Sequence, residues 1–209
     1  MNGTAFFPGG DGLWKPLPGD DLAFPIGGAL ILGSDFGDVV WYDTQFEHDV
    51  AYRQEIGGAT WRGLLKLVDL AGILRTELFC TNGWPCLREG NDSVKGGIPG
   101  ARDRDFTARC VDFFRFTLKQ MRPAIIVPLG LAPTAFVAML EPSALAYWFG
   151  ARSWREVDRM PIGHLGEISV VPVVHPSMPN RRHRAVAKTI EQEAELLRDA
   201  IRRIGALRP

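Results

Sequence analysis

Three short segments of this chain are too uniformly apolar to have a wet face, and a fourth is nearly so. Ala124-Ile-Ile-Val127 is the clearest, closed by Pro128-Leu-Gly130. Ala29-Leu-Ile-Leu32 stops at Gly33, and Leu78-Phe-Cys80 runs into Thr81-Asn82. The β-branched stretch from Ile168 to Val174 leads directly into His175-Pro176. A strand with one solvated face alternates apolar and polar residues, whereas a continuous short run fits a parallel strand buried on both sides. Between these runs the period changes. Trp61, Leu64, Leu65, Val68 and Ala71 recur at helical spacing from Thr60 to Gly72, with Gly72 a natural stop. Helical patterning returns from Phe106 to Gln120, briefly from Pro133 to Leu140, and from Arg184 to Ile204, where Ile190, Ala194, Leu197, Ile201 and Ile204 form one stripe. Strands alternating with helices predict an α/β fold: a mostly parallel sheet covered by helices on both faces.

The length of 209 residues suits a single domain, spanning 1–209, that buries roughly 70% of its unfolded surface. Residues 1–27 are rich in Gly, Pro and Asp, with Phe6, Phe7, Trp14 and Phe24 among them, and read as an irregular N-terminal arm. No apolar run approaches the roughly 20 residues of a membrane span, and no cationic start precedes an apolar stretch. The expectation is a cytoplasmic protein with no membrane partner. Cys80, Cys86 and Cys110 make an odd count with no CxxC pair, which predicts free thiols rather than disulfides or a metal site.

Formal net charge is zero but unevenly spread. Residues 1–60 hold two basic residues, Lys15 and Arg53, against nine acidic ones, while from Pro176 onward eight basic residues face four acidic. A polyanion should approach the C-terminal third. The acidic N-terminal third argues against a broad nucleic-acid-binding face.

Ligands of open parallel sheets sit beyond the carboxyl ends of the strands. Three predicted strand ends carry polar groups: Gly33-Ser34-Asp35-Phe36-Gly37, Thr81-Asn82 and His175-Pro176-Ser177. The loop from Gly83 to about Asp105, with five glycines and two prolines, is too long for an idle connector.

These residues together resemble the uracil-DNA glycosylase superfamily. Its first motif, Gly-x-x-x-Gly or Gly-Gln-Asp-Pro-Tyr, follows the first strand and is matched by Gly33 to Gly37. Its second, His-Pro-Ser and a short loop, is matched by His175-Pro-Ser-Met-Pro-Asn-Arg-Arg182. Leu64 to Ile73, followed by Thr81-Asn82, is similar to the helix, strand and Asn of the bacterial and archaeal iron–sulfur branch, and Ile125 to Gly130 to that branch's next strand. The likeness covers about residues 28–205 in order. It implies a three-layer αβα sandwich around a mostly parallel four-stranded sheet.

The resemblance also implies roles. Cleaving the C1′–N1 bond of a deoxyuridine builds positive charge on the sugar and negative charge on the base. A carboxylate near the sugar stabilises that cation and orients water, and Asp35 holds the matching position. A neutral imidazole donating to the base oxygen eases departure, which is the place of His175. Asn82 would pair with the base edge, and Gly33, Ser34, Phe36 and Gly37 would line the base site. Ser177, Met178, Asn180, Arg181 and Arg182 would grip DNA, with Met178 as the apolar wedge. Unspecialised readings stand beside these: Asp35 as a turn or helix cap, Asn82 as a turn former, and 177–182 as a solvated basic loop.

Two departures from the family pattern matter. Only Cys86 and Cys110 stand where the iron–sulfur branch has its second cysteine pair, so no cofactor is expected and packing must hold the loop from Gly83 to Asp105. Gly37 replaces the tyrosine that excludes thymine, which implies tolerance of bulk at the base C5. The ring that stacks on the base remains open among Phe36, Phe46 and Tyr52. The implied activity is hydrolysis of uracil or a related deaminated base from single- or double-stranded DNA by a monomer. The alternatives are a non-catalytic nucleic-acid-binding relative and an α/β protein acting on nucleosides or nucleotides.

Overall fold

The computed structural model describes residues 26–40, 59–89, 98–150, 152–157, 159–176 and 188–207. Five strands form one sheet in the order β2-β1-β3-β5-β4: β1 Ala29–Gly33, β2 Leu78–Asn82, β3 Ile125–Pro128, β4 Gly163–Leu165 and β5 Ile168–Val170. The first four strands of that order run parallel, and β4 pairs antiparallel with β5. Among the described residues the α-helices are α1 Ala59–Ala71, α2 Pro99–Arg102, α3 Arg104–Met121, α4 Leu131–Ala138, α5 Trp154–Val157 and α6 Ile190–Leu207.

The two-residue alternation of the strands divides the core into two layers. Ala29, Ile31, Leu78, Cys80, Ile125 and Val127 point to one side, where Trp61, Leu64 and Val68 of α1 and Ala194 and Leu197 of α6 cover them. Leu30, Leu32, Phe79 and Ile126 point to the other, against Val111 and Phe114 of α3, Phe136 of α4, and Trp148. Uniformly apolar strands are required because neither face meets water. The αβα sandwich is therefore present, with one strand more than the expected four.

The extra strand, β4, lies within residues 141–166, a region whose sequence reads as irregular. It is three residues long and joins β5 through Gly166-Glu167, so its pairing with β5, rather than any pattern of its own, makes it a strand. The β5 ladder also outlasts the strand. Val171 N–H donates to Ile126 O (2.9 Å), Val173 N–H donates to Pro128 O (3.1 Å), and Leu129 bridges to Val173.

Helix ends follow capping chemistry. Gly72, at φ +74°, closes α1: its N–H donates to Asp69 O and the Ile73 N–H to Val68 O, a pairing that needs a left-handed residue. α3 begins at Arg104, before the periodic stretch from Phe106, because the Asp103 carboxylate accepts from Phe106 N–H at 3.0 Å. α6 opens on a reciprocal cap in which Thr189 and Gln192 each accept the other's backbone N–H. Lys188 and Thr189, expected to be helical, precede the helix instead, and residues 184–187 lie outside the described residues, as do residues 1–25 of the N-terminal arm.

Candidate active site

The site grows from the parallel pairing of β1 and β2, which sets Gly33 beside Asn82. Past the strand ends the two chains stay together. Gly83 N–H donates to Gly33 O (3.0 Å), Trp84 N–H to Ser34 O (2.9 Å), Phe36 N–H to Cys86 O (3.0 Å) and Arg88 N–H to Gly37 O (2.8 Å). Residues 34–39 and 83–88 thus form an irregular ribbon at the carboxyl edge of the sheet.

Packing anchors this ribbon from below. The buried Trp84 donates its indole N–H to Thr107 Oγ1 (3.0 Å), whose hydroxyl donates to Gly100 O (3.0 Å), and its ring stands edge-on to Phe136 at 4.8 Å. Cys86 and Cys110 also meet here. Burial pushes both thiols above their ordinary range, opposed at Cys86 by a hydrogen bond with the Gly100 backbone, and each Cys110 proton is harder to lose beside Cys86. Among the described residues no group of three or more His, Cys, Asp or Glu is arranged to hold a metal ion.

Asp35 sits in the ribbon with its side chain only 1% exposed. Its Oδ1 accepts three N–H groups: Gly37 N (2.8 Å), Arg88 Nε (3.2 Å) and Arg88 Nη2 (3.0 Å). Oδ2 is buried and accepts no hydrogen bond among the described residues. The turn contact to Gly37 is the capping role that the sequence allowed, and the Arg88 pairing comes in addition to it. Phe36 and Ser34 are half-buried, and Gly37 takes φ +88°.

His175 ends the extended β5 ladder, half-buried and held from several sides. Gly130 N–H donates to Val173 O (2.8 Å), and a Cβ on Gly130 would lie 3.5 Å from the His175 Cβ. The buried Glu193 of α6 accepts the Val174 N–H at 3.0 Å. Gly63 of α1 lies so close that a Cβ there would stand 2.8 Å from Pro176 O. Burial holds the imidazole below its ordinary pKa; the Asp35 carboxylate pulls it up, and Arg88 pushes it further down. Asp35, Arg88 and His175 therefore share one electrostatic neighbourhood.

Asn82, 8% exposed, ends β2. Strand alternation from Leu78 and Cys80 puts it on the α1/α6 side of the sheet, the side to which Val171 and Val173 assign His175. Ser177, Met178, Asn180, Arg181 and Arg182 lie outside the described residues, as do Phe46 and Tyr52. Two residues of the site were missed in the sequence. Arg88 carries no motif, and only its place in the long loop after β2 pointed to it. Glu193 had a usable signal, because it falls in the apolar stripe of Ile190, Ala194 and Leu197.

Fold and edge together define an α/β protein whose polar groups gather beyond the carboxyl ends of parallel strands. The family model of the uracil DNA glycosylase superfamily matches residues 47–201, most of the chain, and the protein belongs to that superfamily. The matched span holds Asn82, Arg88, His175 and Glu193 and begins downstream of Gly33–Gly37. No curated protein sequence matches the chain.

Proposed function

We propose that the protein is a DNA glycosylase that hydrolyses the N-glycosidic bond of uracil or a related deaminated base in DNA, acting as a cytoplasmic monomer. The observation that carries this reading is that Asp35 follows β1 and His175 follows β5, the parallel strands on either side of β3, so both stand beyond the carboxyl edge of one sheet. In the reaction the C1′–N1 bond breaks and its electron pair leaves with the base. Water adds to C1′ and loses a proton while the base anion takes one up, leaving an abasic sugar and the free base. Asp35 offers Oδ2 to the sugar cation or the incoming water, since Oδ1 is already committed to three donors. His175, kept neutral by burial, donates to the departing base, and Asn82 pairs with its edge. Gly33, Ser34, Phe36 and Gly37 line the base, while Ser177, Met178, Asn180, Arg181 and Arg182 hold the strand.

The test is incubation with single- and double-stranded uracil oligonucleotides followed by alkali. Strand breaks at uracil are expected from the native protein. No excess over an Asp35→Ala, His175→Ala double variant would remove the proposal.

One observation favours a second reading, a nucleic-acid-binding relative without catalysis: the Asp35 side chain is 1% exposed and already paired. That reading predicts salt-dependent binding to single strands, weakened by Arg181→Ala with Arg182→Ala, and no abasic product. Binding indifferent to salt would count against it.

A further inference from the structure

Arg88 is a charged side chain only 17% exposed, and it spends two N–H groups on a single carboxylate oxygen. Its backbone is fixed as firmly as its head: its N–H donates to Gly37 O (2.8 Å) and its carbonyl accepts from Val39 N–H (2.9 Å). The guanidinium is therefore presented to Asp35 from a rigid ribbon rather than from a free loop. We propose that Arg88 is a positioning residue of this site, which fixes the Asp35 carboxylate through Oδ1 and cancels its negative charge in front of His175. The catalytic part of this proposal rests on the glycosylase reading above; the electrostatic part does not.

The physical need is direct. A buried carboxylate with no counter-charge would draw a proton onto a nearby imidazole, and an imidazolium is a different group for the chemistry from a neutral ring. Charged groups that act on His175 come from more than one element. Asp35 comes from the loop after β1, and Arg88 comes from the loop after β2. Glu193 of α6 holds the adjacent Val174 N–H. Gly130 after β3 and Gly63 of α1 bring no charge. Asp35 and Arg88 act on the ring with opposite sign, and their salt bridge of 3.0 Å makes them one compensated unit.

The experiment is an NMR titration of the His175 ring in the full chain, with chemical denaturation as a check on folding. Arg88→Gln should move the midpoint up, and Asp35→Asn should move it down. The double variant should return close to the native value, and Arg88→Lys should stay near it. A folded Arg88→Gln protein with an unmoved or lowered midpoint overturns the proposal, as does a double variant that stays displaced. Should Arg88→Gln not fold, the Arg88→Lys and Asp35→Asn midpoints decide it, since an unmoved Asp35→Asn midpoint is also fatal. Single-turnover excision is the second readout. Arg88→Gln should lower the rate about 100-fold with little change in DNA affinity, and Arg88→Lys should recover most of it. A protein without excision activity, but with the expected pattern of midpoints, would sink the glycosylase reading and leave the electrostatic role standing.

Discussion

Gly63→Ala puts two known effects in opposition inside one helix. Gly63 is an interior residue of α1, where alanine is ordinarily favoured over glycine by about 1 kcal/mol. Here the added Cβ would stand 2.8 Å from the Pro176 carbonyl oxygen and 2.9 Å from the Pro176 Cβ. Optimal carbon contacts lie near 3.5–4.0 Å, so one side must retreat by roughly 0.5–1 Å. α1 cannot retreat cheaply, because Trp61 and Leu64 beside Gly63 are fully packed in the core. The yielding side is the chain at His175-Pro176. Overpacking of this kind costs about 1–3 kcal/mol, which leaves a net loss of about 0–2 kcal/mol after the helical gain. In a chain of this size that lowers Tm by up to about 4–8 °C. Catalysis should suffer more than stability, since a misplacement of about 1 Å at a reacting group costs on the order of 100-fold. Urea denaturation and single-turnover uracil excision measure the two effects separately. A variant about 1 kcal/mol more stable than the native protein, with an intact rate, would show that the close approach of α1 does not place His175.

Three further outcomes follow from geometry elsewhere. Glu193→Ala removes the acceptor of the Val174 N–H and should cost about 2–4 kcal/mol, whereas Glu193→Gln, which keeps an acceptor, should cost much less; equal denaturation midpoints for the two would contradict this. Arg122 ends α3 in the left-handed region at φ +45°, so Arg122→Gly should stabilise by about 0.5–1 kcal/mol, and a loss of stability in urea would refute it. His175 titrates lower in the folded chain than in the unfolded one, so the unfolded state takes up the proton first as pH falls. Its contribution to stability is therefore complete above about pH 6.5 and is lost as pH drops below that toward the folded value. His175→Gln should flatten the pH dependence of the denaturation midpoint over that window, and an unchanged slope would show that another group is responsible.

The sheet was legible wherever burial on both faces left a run such as Ala29–Leu32 or Ile125–Val127, because an all-apolar segment of that length has few other homes. The longer helices were legible by period, and Gly72 by the left-handed turn that only its kind adopts cheaply, whereas the four-residue α2 and α5 fell in stretches read as loop or irregular. β4 was not legible. Three residues carry no period, and Gly163–Leu165 is a strand only because β5 lies beside it. The start of α3 was missed by two residues because a cap is a side-chain contact, and Asp103 announces itself weakly in the sequence. For the site, the strand ends at Gly33, Asn82 and His175 could be picked out, since at each an apolar run gives way to glycine or polar residues. Arg88 could not be picked out. Its importance depends on residues 83–88 lying alongside 34–39, and that follows only once β1 and β2 are known to be parallel neighbours.

The Arg88 pairing changes how Asp35 should be perturbed. An ionised carboxylate with 1% of its side chain exposed costs several kcal/mol unless it is compensated, and Arg88 supplies the compensation. Asp35→Ala therefore does two things at once: it removes the carboxylate and takes the Asp35 charge away from a mostly buried guanidinium. A lost activity in that variant would mix missing chemistry with a displaced ribbon. Asp35→Asn keeps the shape and an acceptor oxygen for Gly37 and Arg88 while removing the charge, so its rate measures the charge more directly. If excision by Asp35→Asn equals that of the native protein while Asp35→Ala is inactive, Asp35 serves as a strut for Arg88 and the ribbon, and the cation-stabilising role belongs to another group.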